Sequence, residues 1–203
     1  MLNEALSSFL GNTELTDSLT QILTRASKKG RVTFHEVAET VGENAEEVLL
    51  MGYEWRLVLP MRTRRTSSWE DRLLLFSPDE LYEVPNIVRY LVENASKTGI
   101  WEPGVAVSEL FREMGDPHWN IIPRLVGRLW DQSRNFRITA IQIQEICCGL
   151  GLGDRVDALI VELKGSGVIS PKLRSPAEVS RAGAVIFELN PSLVTQREWP
   201  KCL

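Results

Sequence analysis

The side chains able to do chemistry in this chain are few and scattered. There are two histidines, His35 and His118, and three cysteines, Cys147, Cys148 and Cys202. Two cysteines are neighbours and the third is next to last, so no CxxC spacing exists for zinc. GxSxG, HExxH and P-loop motifs are absent. The expectation is a protein without catalytic residues, cofactor or metal. Arginine is the residue that concentrates. Arg62, Arg64 and Arg65 lie beside Trp69 in a polar turn, and Arg56 and Arg72 bring the local count to five against Glu70 and Asp71. Lys172, Arg174 and Arg181 face Glu178 alone in a later turn. Such sets neutralise phosphates. Three phosphate contacts would weaken binding tens-fold, on the order of 10^1.6, between 50 and 200 mM salt. Trp69 would serve as an apolar wedge beside the first set. Arg155 lies near the start of a helical stretch, with Asp154 and Asp157 beside it. The plainer alternative for the first set is a solvated turn balancing an acidic neighbour.

That neighbour runs from Glu36 to Glu54 and holds Glu36, Glu39, Glu43, Glu46, Glu47 and Glu54, with no Lys or Arg. Carboxylates there either complement a helix N-terminus or form an acidic face for a basic protein partner. His118-Trp119-Asn120 reads as a helix cap with an anchored Trp, or as a polar-aromatic contact. The spacing of Gly149, Gly151 and Gly153 departs from GxGxxG, and no acidic residue follows at Val168-Ile169-Ser170, so an inter-helix turn is expected.

The elements that position these residues are written twice. Arg31-Val32-Thr33-x-x-Glu36-Val37-x-Glu39 matches Arg137-Ile138-Thr139-x-x-Gln142-Ile143-x-Glu145, 106 residues later. In each, Val or Ile before the Thr predicts a short strand. The Thr-x-x-Glu/Gln spacing is that of a capping box. Helical stripes follow, Phe34, Val37, Ala38 and Val41 in one copy, Ile143, Ile146, Cys147 and Leu150 in the other. Second stripes run Val48 to Tyr53 and Ala158 to Leu163, with about four extra residues at Gly149–Gly153 in the later copy. Each copy then predicts a long-tipped hairpin. The first runs from Leu57–Met61 to Arg72–Phe76 and stops at Pro78. The second runs from Val168–Leu173 to Ala184–Leu189 and stops at Pro191. A helix precedes each, Leu15 to Ala26 ended by Gly30, and Ile121 to Trp130, where Pro123 fits only in the first turn. Between the copies, Ile87 to Leu91 and Val107 to Met114 predict two more helices. The end from Ser192 reads as a loose tail.

Helix, short strand, helix, helix and hairpin, in that order and twice, resembles the winged helix-turn-helix superfamily over about residues 13–78 and 119–191. The fold class this implies is mainly α with small β-hairpin wings, α+β. Residues 1–80 would be an N-terminal winged-helix unit, 81–118 a helical linker and 119–203 a C-terminal unit. Residues 87–131 could instead form a third, wingless helix-turn-helix. The resemblance implies a third helix in the major groove, with Arg155 near the start of that helix as the candidate for a guanine edge, and wings on phosphates.

Composition weighs on the choice of partner. The chain has 203 residues, 43% hydrophobic and 25% charged, with net charge −4, which excludes a disulfide scaffold, wholesale disorder and an indiscriminate polycation. Residues 1–84 carry 9 basic and 14 acidic side chains; residues 85–203 carry 14 and 13, so the later part suits nucleic acid better. Two functions follow as expectations. One is a transcription-regulator-like binder of duplex DNA through Arg62, Arg64, Arg65, Arg155, Lys172 and Arg174. The other is a scaffold whose winged-helix units bind protein partners. A homodimer is compatible with either. Apolar runs are too short for the roughly 20 residues of a bilayer span, Met1-Leu2-Asn3-Glu4 is no secretory start, and a cytoplasmic location is expected.

Overall fold

Threonine caps fix where the repeated elements begin. In the computed structural model, which describes residues 1–11, 13–172 and 184–194, Thr33 Oγ1 accepts from the Glu36 amide at 3.1 Å. The Glu36 carboxylate accepts from the Thr33 amide at 2.8 Å. Thr139 and Gln142 repeat the exchange at 3.2 and 3.0 Å. Each box satisfies two amides that would otherwise lack partners.

The chain opens with α1 (Leu2–Leu10), for which the sequence reading assigns no element. Its Leu2, Ala5, Leu6 and Phe9 are buried. Then come α2 (Glu14–Lys29), β1 (Arg31–Thr33), α3 (Phe34–Val41), α4 (Ala45–Glu54), β2 (Leu59–Pro60) and β3 (Leu81–Glu83). Two helices follow, α5 (Asn86–Thr98) and α6 (Pro103–Glu113). The same order then recurs as α7 (Ile122–Gln132), β4 (Arg137–Thr139), α8 (Ala140–Gly149), α9 (Val156–Gly165), β5 (Ile169–Pro171) and β6 (Ile186–Leu189). Pro123 is the second residue of α7, where its missing amide costs nothing. A 3-10 turn leads into both α4 and α9.

The molecule is mainly helical, of α+β class, with two three-stranded antiparallel sheets among the described residues. Their strand orders match, β1-β3-β2 and β4-β6-β5. Arg31 stands opposite Glu83 in one, and Arg137 opposite Glu188 in the other. The second hairpin returns near the place its sequence indicates. The first does not. Leu73 to Phe76 form no strand, and the chain passes Pro78 before β3 pairs with β1 and β2. The returning strand therefore starts at Leu81, inside the stretch read as linker. Residues 62–64 and 71–73 instead form a narrow side loop. Arg64 donates to the Asp71 carbonyl and Leu73 to the Arg62 carbonyl, each at 2.9 Å.

The buried apolar side chains, Leu59 and Trp69 apart, form one cluster, from Leu2 on α1 to Leu193 beyond β6. Ser192 and Leu193, read as loose tail, are buried, and Trp101 Nε1 donates to the Ser192 carbonyl at 2.7 Å. Among the described residues no helix is long and apolar enough to cross a membrane.

Candidate nucleic-acid interface

The side loop of the first copy is docked, not free. Trp69 is only 4% exposed, so it is no apolar wedge for a ligand. Its amide donates to Ser170 Oγ at 3.1 Å, and its carbonyl accepts from Tyr53 Oη at 2.7 Å. Next to it, Ser68 Oγ donates to the Pro171 carbonyl at 2.6 Å, and Glu70 pairs with Lys172. Behind the loop, Arg56 Nη2 and Nε reach Glu188 at 2.9 and 3.2 Å, with the guanidinium 4.5 Å from the Tyr53 ring centre. Asp71 closes the loop from inside. The amides of Thr66 and then Arg65 hold its carboxyl below the usual range.

This docking creates a cleft of about 680 Å³ between the first sheet and α9. Five cations from five places line it: Lys29 at the end of α2, Arg31 on β1, Arg72 in the side loop, Arg89 on α5 and Lys164 on α9. Among the described residues, Glu83 is the one carboxylate of the lining. It pairs with Arg72 at 2.7 Å, and Lys29 pairs with Glu36 at 3.0 Å. Arg89 gives Nε to the Ser27 carbonyl at 2.8 Å, lying over Gly30. Gly30 ends α2 with φ +75, a backbone conformation that suits glycine. Arg31 and Lys164 make no side-chain hydrogen bond or ion pair among the described residues. In an acidic chain this is a local excess of positive charge, and low-dielectric walls strengthen its field.

The wall formed by α9 is pinned at both ends. At its C-terminal end the Ile87 amide donates to the Ser166 carbonyl at 2.9 Å. Gly167 follows with φ +81, and a Cβ there would lie 2.7 Å from Pro85 Cβ. At the N-terminal end Arg155 reaches Asp116 with two bonds of 3.0 and 3.1 Å, and Glu162 at 3.3 Å. His118 Nδ1 is 3.0 Å from Arg155 Nη1, and the His118 amide donates to Asp116 at 2.6 Å. The Asp116 side chain is 2% exposed. Burial opposes its ionisation, yet the Arg155 guanidinium and the His118 amide together hold it below its ordinary value. Burial, then the Asp116 carboxyl, push Glu162 up.

The six residues named from sequence are thus not brought together. Arg64 and Arg65 are exposed on the side loop, with no side-chain partner among the described residues. Arg62 pairs with buried Glu80 at 3.0 Å. The Arg155 guanidinium is committed to carboxylates, and Lys172 to Glu70. Arg174 lies outside the described residues. Trp119 stays 38% exposed beneath Arg112. Of the cleft cations, Arg72 belongs to the first basic set of the sequence, while Lys29, Arg31, Arg89 and Lys164 are spread over four elements and form no such set; the run Lys28-Lys29-Gly30-Arg31 is the local signal.

The cationic cleft thus lies between the first sheet and α9. Residues 3–199 match the model of one protein family of unknown function, and the chain belongs to that family. No curated protein and no solved structure matches it.

Proposed function

We propose that the chain is a cytoplasmic, non-catalytic, transcription-regulator-like protein with two winged-helix units that binds duplex DNA, its phosphate backbone lying along the cationic cleft. The convergence of Lys29, Arg31, Arg72, Arg89 and Lys164 on one cleft in a chain of net charge −4 carries this reading. The position of α9 adds to it. This is the third helix of the second copy, and it turns exposed Asp157, Ala158, Val161 and Lys164 outward, with Val161 66% exposed. Apolar side chains on such a face suit thymine methyl groups. Arg64 and Arg65 extend the phosphate contacts beyond the cleft.

Fluorescence anisotropy with random duplex DNA at 50 and 200 mM salt tests the proposal. With three phosphate contacts from Arg31, Arg89 and Lys164, affinity falls tens-fold over that range, since each contact contributes about 0.9 to the slope. The triple variant Arg31→Glu, Arg89→Glu, Lys164→Glu abolishes the salt-sensitive binding. Binding unchanged in that variant removes the cleft from the account.

One observation favours a protein scaffold instead. Leu50, 46% exposed, stands on α4 amid exposed Glu46, Glu47 and Glu54. A basic, apolar-centred protein surface would fit it. Glu46→Lys with Glu47→Lys would then release a protein partner while leaving DNA binding intact.

A further inference from the structure

We infer that the bound nucleic acid does not end in the cleft but crosses the C-terminal part of α2, where Arg25 and Lys28 form a second phosphate-binding step. This rests on the nucleic-acid reading of the cleft. Two further grooves adjoin it. One, of about 480 Å³, runs along α2, β1 and α3 and shares Lys29 and Arg31 with the cleft. The other, of about 780 Å³, runs between α2, α5 and α6 and shares Asn86 and Arg89 with it. Lys28 lines both. The end of α2 is therefore a ridge carrying Arg25, Lys28 and Lys29 with a groove on either side, and the cleft opens onto the same ridge.

The charges along this ridge are unevenly spent. Among the described residues, two groove carboxylates are ion-paired, Glu36 with Lys29 at 3.0 Å and Glu93 with Lys97 at 2.7 Å; Glu39 lies 3.3 Å from His35 Nε2, and Glu113 accepts from Tyr90 Oη. Lys28 makes no side-chain hydrogen bond or ion pair among the described residues, and Arg25 gives one bond, to Thr40 Oγ1 at 2.8 Å. Basic residues in a last helical turn also complement the helix dipole, but Arg31 and Arg89 lie outside that turn and continue the line. Single cations set at intervals across connected grooves match a polymer with one charge per repeat. A small phosphate compound would fill one groove and leave the others.

The test compares salt slopes for duplexes of about 8 and about 20 base pairs, roughly 27 and 68 Å long at 3.4 Å per base pair. Slopes, unlike affinities, do not depend on how many registers the longer duplex offers. The longer duplex shows a slope steeper by about 1.8, two contacts at about 0.9 each. Arg25→Glu with Lys28→Glu brings its slope down to that of the short duplex and leaves the short duplex within twofold. Lys28→Gln, which keeps the Arg25–Thr40 bond, removes about 0.9. Circular dichroism melting confirms that both variants fold. Equal slopes for the two lengths, or slopes unmoved by either variant, overturn the inference while the cleft reading stands. Displacement of the long duplex by poly-glutamate as effective as by unlabelled DNA also overturns it. No binding of either duplex removes both.

Discussion

Arg56 has a backbone φ of +53, which side-chain-bearing residues seldom adopt. What holds it there is the Glu188 ion pair, 12% and 16% exposed, with the Tyr53 ring against its guanidinium. Arg56→Ala therefore costs about 3 kcal/mol in urea unfolding, because it leaves Glu188 enclosed without a partner and keeps the backbone strain. Arg56→Gly recovers about 1 kcal/mol of that loss by removing the Cβ. An equal cost for the two variants would mean that the backbone conformation stores no strain. The Asp116 and Glu162 carboxyls make a second residue-scale case, with opposite signs. Asp116 is lowered, so its contribution is present above the ordinary value of 3.8 and is lost as pH falls through the lower folded value. Glu162 is raised, so its contribution is present below its ordinary 4.5 and is lost as pH climbs through the higher folded value. Urea midpoints across pH should show Glu162→Gln gaining on the parent protein as pH rises from 4.5. Asp116→Asn loses about 3 kcal/mol at neutral pH, because Arg155 is left half-paired.

At the scale of elements, the most legible features are those written within a few residues. The two capping boxes need only four positions each. Thr33→Ala and Thr139→Ala should each cost about 1 kcal/mol in chemical denaturation. The helix stop at Gly30 and the glycine-rich turn before α9 were legible for the same reason. The Leu2, Ala5, Leu6, Phe9 spacing of α1 was equally available and went unread. The first returning strand was not legible. Leu73 to Phe76 is a greasier run than Leu81-Tyr82-Glu83, and three residues with one buried side chain give little alternation to detect. The cleft was less legible still, because its cations come together through contacts such as Ser68 with Pro171 and Ile87 with Ser166, which no local pattern encodes. Gly167 sits at one such junction. Gly167→Ala, with its unfavourable φ and its clash with Pro85, should cost about 2–4 kcal/mol. It should also weaken DNA binding by shifting α9 away from Arg31 and Arg89. A variant that melts with the parent protein would show that Pro85 can yield.

Across the whole molecule, one hydrophobic cluster joins both sheets and every helix from α1 to α9. Tryptophans report from both copies, Trp55 and Trp69 in the first and Trp130 in the second. Unfolding followed by tryptophan fluorescence and by far-ultraviolet circular dichroism should therefore give one coincident transition. Two separated midpoints would mean that the copies unfold independently. The docked side loop has a practical corollary for anyone altering this chain. Surface loop tips are ordinarily where a polypeptide accepts an added epitope or a few extra residues. Between Arg62 and Arg72 that latitude is gone, because Ser68, Trp69 and Glu70 must each meet a counterpart on β5 or just beyond it. Lengthening that stretch by even one residue would pull the two halves of the protein out of step.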